Sequence, residues 1–286
     1  GFTLTKQKFG KEPYGFTETL AGNYAFATGA FNFWYDRIFK RAFGKWDLHL
    51  AAEVNAPNFV FNYFGLGNET SLIQKDRSFN RVRSDQFNIM FGVTRTFNKK
   101  FTWDVNLGYQ FIKVEKTANR FVSDPRAKID STLFSAKQFG FGEVAYRIDN
   151  TDNLLYPTRG IRLQTIAGIN QSLKDTKKNF PYLHFNVSGY ATAGNFTFAL
   201  RSGVSTNLNN DYEFYQANSL GGTTNLRGYR RTRFSGRTSV YENAEIRWKF
   251  GSTNLYIVKG NIGLIGFADG GRVWVPTESS DKFHWG

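Results

Sequence analysis

The chain has 286 residues, a formal net charge of +14 and no cysteine. Its length suits one large domain or two small ones, and without thiols there is neither a disulfide framework nor a thiolate metal site. Charged residues make up 21% of the chain and the mean hydropathy is −0.44; no run of ~18 uncharged apolar residues occurs, so membrane-crossing helices are excluded, whereas a barrel of strands alternating lipid-facing and lumen-facing residues is not. With 30 Phe, 28 Gly and only 6 Pro, the composition favours many strands and turns over helices.

Period-two alternation runs through the chain. Residues 1–10 predict a short strand containing Phe2 and Leu4. Leu20, Gly22, Tyr24 and Phe26 share a face, and Thr28-Gly29-Ala30 turns the chain. Phe31, Phe33, Tyr35 and Phe39 then lie opposite Asn32 and Asp36. After a turn at Gly44-Lys45, Leu48, Leu50, Ala52 and Val54 alternate with His49 and Glu53. Residues 57–84 read as a long polar outer loop. Phe87 to Val93 resume the pattern up to the Asn98-Lys99-Lys100 turn. The cleanest strand follows. Phe101, Trp103, Val105, Leu107, Tyr109 and Phe111 alternate with Thr102, Asp104, Asn106, Gly108 and Gln110. A wholly apolar face with aromatics at both ends suits a lipid-facing strand with interfacial girdles.

Residues 115–137 read as another long polar loop. Phe139–Ile148 and Ile161–Ile169 are predicted strands joined by a shaped turn. Lys174–Asn179 is a loop, and strands follow through Leu183–Ala191 and Phe196–Val204. A loop over residues 207–237 precedes the alternation of Val240, Ala244, Ile246, Trp248 and Phe250 with Tyr241, Asn243, Glu245, Arg247 and Lys249. Ile262–Val273 is the last strand. About 12 strands result, joined alternately by short and long connections, as expected of a transmembrane antiparallel β-barrel.

Three motifs stand out. In the 207–237 loop, Leu220-Gly221-Gly222 precedes Leu226-Arg227-Gly228-Tyr229. Gly221-Gly222 permits backbone angles closed to other residues. Leu226 and Tyr229 are too apolar to stay in water, and a tucked-in Arg227 needs an anionic partner. The second motif is Asp149-Asn150-Thr151-Asp152-Asn153 followed by Tyr156-Pro157-Thr158-Arg159-Gly160. The third is Phe267-Ala268-Asp269-Gly270-Gly271-Arg272-Val273-Trp274. Together, in this order, they resemble the signature blocks of the BamA/TamA-like outer-membrane assembly barrels, the bacterial surface antigen family.

The resemblance implies a sixteen-stranded barrel in the outer membrane of a Gram-negative bacterium. It makes residues 1–286 a partial barrel that lacks the first strand and the last three. It places the loop tip inside the lumen, with Arg227 facing Asp269; Glu245, on the lumen row of the intervening strand, is a second candidate partner. The turn carrying Asp149, Asp152, Pro157 and Gly160 is expected to face the periplasm. Implied partners are outer-membrane lipid, lipopolysaccharide and client outer-membrane proteins.

No enzyme site is legible. His49, His184 and His284 are separated, no His pair has metal-ligand spacing, and Asp149 and Asp152 suit turn formation. No catalytic residue, metal or cofactor is expected within this chain. The basic residues, including Lys75, Arg77, Arg81 and Arg83 and then Lys174, Lys177 and Lys178, are scattered over loops. That points to lipopolysaccharide phosphates or a basic lumen rather than to nucleic acid.

The functional expectation is insertion or translocation of proteins at the outer membrane. An alternative is a barrel anchoring or exporting an N-terminal enzyme domain, a metallophosphoesterase or a patatin-like lipase. The stretches Gly22–Gly29 and Phe64–Glu69 resemble the phosphoesterase-linked barrels. A passive porin or adhesin is the third reading. The chain opens mid-pattern with no signal peptide, as expected of a mature fragment or part of something longer.

Overall fold

The computed structural model describes residues 1–71, 76, 78–127, 129–254 and 259–286. Lys75 and Arg77 lie outside them. The strands are β1 (Phe2–Lys8), β2 (Lys11–Ala25), β3 (Ala30–Phe43), β4 (Trp46–Asn62), β5 (Arg81–Phe97), β6 (Phe101–Val114), β7 (Lys137–Thr151), β8 (Gly160–Ser172), β9 (Asn179–Ala193), β10 (Phe196–Asn207), β11 (Asn218–Leu220), β12 (Phe234–Gly236), β13 (Thr238–Asn254), β14 (Lys259–Trp274) and β15 (His284–Trp285). All but β11 and β12 form one 13-stranded antiparallel meander, in which β13 pairs directly with β10. Setting aside the two-residue β15 leaves the twelve long strands that the alternation predicts. β11 and β12 form a separate two-stranded ribbon inside the β10–β13 connection.

The two faces of the sheet are inverted relative to a water-soluble protein. On β6, Leu107 is 62% exposed while Asp104 on the opposite face is 7% exposed. On β14, Leu264 is 62% exposed and Asp269 only 1%. Apolar side chains outward and polar side chains inward is the arrangement of a sheet whose outer solvent is hydrocarbon. One outward ion pair interrupts the apolar face. Arg37 lies 3.4 Å from Glu18 and stacks between the rings of Phe16 and Phe39, at 4.4 and 4.5 Å. Pairing and stacking offset the cost of a charge on such a surface.

Contacts across the sheet show that it curls around an interior. The β10–β13 connection touches β13 and β14, yet Thr232 Oγ1 also donates to the Asn62 carbonyl on β4, 2.8 Å away. Gly67 N–H donates to Ser235 O at 2.8 Å. Strands far apart in pairing order thus meet one loop. Inside, arginines are matched by carboxylates: Arg147 with Asp104 and Arg162 with Asp149. The inner wall thus carries ion pairs between neighbouring strands.

Two expected loops differ from their prediction. The 57–84 connection is shorter, because pairing resumes past an irregularity between Asn55 and Phe59, with Phe59 opposite Ser84 and Asn62 opposite Arg81. Residues 115–137 are polar in composition but not loosely solvated. They wind through three single 3-10 turns, Phe121–Ser123, Pro125–Ala127 and Ser131–Phe134. These deliver Phe121, Val122 and Leu133 into a buried cluster with Tyr63, Phe79, Val82, Val114 and Phe214. Three connections therefore share one small core capping the sheet. Truncating a buried aromatic costs about 3–5 kcal/mol where it packs. Phe121→Ala is therefore expected to speed proteolysis within residues 115–136 severalfold, with little change in the temperature at which the folded barrel unfolds on a semi-native gel.

Candidate functional site

The connection between β10 and β13, residues 208–237, folds back against the inner face of β13 and β14. Its own side chains supply the packing. Leu220 and Leu226 are fully buried and form a core with Phe234, Tyr241 and Val273, with Tyr229 packed against it. Gly221 sits at φ 121°, and a Cβ there would lie 2.1 Å from the Arg230 carbonyl oxygen, so only glycine fits. Asn225 closes the tip: its Oδ1 accepts from Gly221 N–H and its Nδ2 donates to Ser219 O, both at 2.9 Å. The tip is thus pre-shaped before any charge is considered.

On the wall, Asn243 pairs with Asp269 and Glu245 with Phe267 in the β13–β14 register. These four side chains form a block facing the tip. Arg227 Nε and Nη2 donate to the two oxygens of Asp269 at 2.7 and 2.6 Å, and its backbone N–H donates to the same carboxylate at 2.8 Å. Nη1 donates to Glu245 Oε1 at 2.7 Å. The guanidinium lies 3.8 Å from the Phe267 ring centroid, and Asn243 Nδ2 donates to Asn225 O at 2.8 Å. The planar fork of arginine satisfies two carboxylates and an aromatic face at once, which an ammonium could not. Both carboxylates hold the Arg227 pKa above its ordinary value, Asp269 contributing most, so the residue carries its charge at any accessible pH. The structure therefore brings together Arg227, Asp269 and Glu245.

The turn of residues 152–159 lies at the other end of the sheet from this loop. Asp152 organises it, accepting from Thr158 N–H, Arg159 N–H and Thr158 Oγ1 at 2.8, 3.0 and 2.5 Å. Asp149 binds Thr151 Oγ1 and Arg162 Nε at 2.6 and 2.8 Å. Gly160 has φ 108°, and a Cβ there would fall 2.0 Å from Asn150 O. Pro157 lends its carbonyl to Arg247 Nη1 at 3.3 Å. Neither Asp149 nor Asp152 touches Arg227.

Several participants were not singled out in the sequence. Arg247 looks like any lumen cation on an alternating strand. Asn68 is fully buried: its Oδ1 accepts from Val273 N–H at 3.0 Å, its backbone N–H donates to Glu278, and its carbonyl lies 2.8 Å from His284 Nε2. His284 stacks on Phe234 with ring centroids 3.7 Å apart. The β4–β5 connection and residues 275–286 therefore brace the same loop from above. Only the stretch Gly65-Leu66-Gly67-Asn68, a turn signal, hinted at this. Among the described residues, no three His, Cys, Asp or Glu are placed to hold a metal ion.

Two outcomes are expected. Arg227→Ala leaves the Asp269 carboxylate, 0% exposed, without its cation, and should cost about 3–5 kcal/mol. Asp269→Ala should match it, and Glu245→Ala should cost less because Asp269 still holds the fork; unfolding of the folded barrel in lipid reads all three. The hydrogen bonds from Thr158 and Arg159 hold the Asp152 carboxyl well below its usual range. A depressed folded pKa gives stability that is present above about pH 4 and lost as pH falls toward the folded value. The thermal penalty of Asp152→Asn should therefore be full at pH 7 and shrink below about pH 4.

A sequence profile of the Omp85 superfamily domain matches residues 20–284. No curated protein matches the chain. Among solved structures, BamA from Haemophilus ducreyi lacking POTRA domains 1–3 superposes with a TM-score of 0.65 at 15% sequence identity, over 91% of this chain and 52% of that one. This chain spans about half the length of that BamA chain, and at such identity the likeness is one of fold. The antiparallel sheet, its inverted faces and this superposition make the fold a transmembrane β-barrel, and the profile match places the chain in the Omp85 superfamily of outer-membrane proteins.

Proposed function

We propose that this barrel takes part in inserting or translocating proteins at the outer membrane, with the 208–237 loop acting as a strut fixed inside the lumen. The observation that carries the reading is the Arg227 fork on Asp269 and Glu245. A loop held at its tip by four charge-assisted hydrogen bonds and a buried apolar core stiffens the lumen. A diffusion porin gains nothing from such a loop, so the third reading is disfavoured. Lipid and lipopolysaccharide on the outer face and client outer-membrane proteins are the partners this role requires.

A second reading, a barrel that anchors or exports a fused enzyme, draws on the resemblance of Gly22–Gly29 and Phe64–Glu69 to phosphoesterase-linked barrels. Asn68 within the second stretch has a purely structural explanation in its buried hydrogen bonds, which weakens that argument.

The test is replacement of the full-length protein in its own outer membrane by Arg227→Ala, with its abundance matched to the parent. The proposal predicts a severalfold fall in newly assembled barrel proteins or in a protein exposed at the surface. Unchanged levels of both, with the variant folded, would overturn it. Loss confined to the activity of an attached enzyme domain would establish the second reading instead.

A further inference from the structure

The Arg227 fork does not end at the wall of the barrel. Glu245 is shared: Oε1 accepts from Arg227 Nη1 at 2.7 Å, and Oε2 accepts from Arg247 Nε and Nη2 at 2.9 and 2.8 Å. Arg247 in turn donates Nη1 to the Pro157 carbonyl, and its guanidinium lies 5.1 and 5.8 Å from the rings of Tyr156 and Tyr190. Its side chain is 15% exposed, so water competes weakly for these bonds. One carboxylate and one guanidinium thus connect a loop that enters from one end of the barrel to a turn at the other.

We propose that Arg247 is a positioning residue that couples the seating of the lumen loop to the anchoring of the 152–159 turn. The turn is internally rigid, since Asp152 and Asn153 satisfy its backbone N–H groups, the latter accepting from Leu155 and Tyr156 at 2.8 and 2.9 Å. It therefore moves as a unit, and what can vary is its attachment to the wall. Three side chains make that attachment. Arg162 Nη2 donates to Leu154 O at 2.8 Å, Thr192 Oγ1 donates to Thr158 O at 2.8 Å, and Arg247 reaches Pro157 O. The first two belong to neighbouring strands. Only the third belongs to the network that holds the loop, and at 3.3 Å it is the longest of the three.

The consequence is directional. When the loop leaves, Glu245 loses one of its two cations and its carboxylate turns toward Arg247 and lumen water. Arg247 follows its remaining strong partner and releases the weaker bond to Pro157. The turn then gains freedom, and with it Leu154 and Leu155, which it holds 74% and 97% exposed. An apolar tip facing water is thereby fixed in place while the loop is seated and loosened once the loop is not. Leu155 carries the report because its own side chain touches nothing that a label would disturb.

These 286 residues contain no cysteine, so a single label site can be introduced among them, with the protein in lipid vesicles. A nitroxide is attached at Leu155→Cys, and in a separate protein at Lys99→Cys, in the β5–β6 turn at the same end. Arg247→Ala, Glu245→Gln and Arg227→Ala are then introduced into each. All three should shorten the rotational correlation time at position 155 by roughly twofold and leave position 99 unchanged. Arg227→Ala is the decisive member, because it lies on the loop and touches no atom of the turn. If it leaves the label at 155 as immobile as in the parent, or frees position 99 equally, the coupling is refuted. This readout is independent of any assembly activity, so it can fail while the proposed function stands, and the reverse.

Discussion

A single arginine in a hollow barrel sets the problem that the rest of this structure solves. A guanidinium drawn out of water is costly unless every donor finds an acceptor and its charge is neutralised. Arg227 is neutralised by two carboxylates, one of them completely shielded, which accept from Nε, Nη1 and Nη2, and it lies on the face of Phe267. That arrangement exists only when the loop tip and the β13–β14 wall are both in place. The ion pair therefore reports on tertiary structure across 42 residues of chain. Its value lies in specificity as much as stability, because few other seatings of the loop would satisfy so many polar groups.

The layers around it follow from the same constraint. The loop cannot be long and floppy, since ordering it costs conformational entropy at every residue. Its apolar side chains offset that cost by packing on Tyr241 and Val273, and Asn225 and Gly221 fix the backbone so that Arg227 arrives correctly aimed. Above, Asn68 and His284 hold the neighbouring segments onto Phe234 and β14. Below, the second oxygen of Glu245 accepts from Arg247. A connected polar and apolar assembly lines the inner face of β13 and β14, while the outer face is left to hydrocarbon.

How much of this is readable without coordinates depends on the length scale of the signal. Strand alternation is local, so the long strands and the limits of the 207–237 loop emerge from the sequence directly. Arg227 stands out because an arginine between Leu226 and Tyr229 in a glycine-rich loop is chemically incongruous. Its assignment to Asp269 came from resemblance, since nothing local ties residues 42 positions apart. Arg247 was invisible because a cation on a lumen row is unremarkable until its distance to Pro157 is known. The packed character of residues 115–137 was hidden for another reason: Phe121, Val122 and Leu133 sit singly among polar residues, with no period to reveal them, and their partners Tyr63 and Phe214 come from other connections.

The central claim is that Arg227 and Asp269 act as one unit rather than as two charges in a wet lumen. A double-mutant cycle on unfolding in lipid vesicles, comparing Arg227→Ala, Asp269→Ala and the pair, tests it most directly. A coupled unit predicts an interaction energy of about 2–3 kcal/mol, so that the double variant costs that much less than the sum of the two single penalties. Penalties that add to within about 0.5 kcal/mol would mean that the two side chains are independent, and the account of the loop as a locked strut would be wrong.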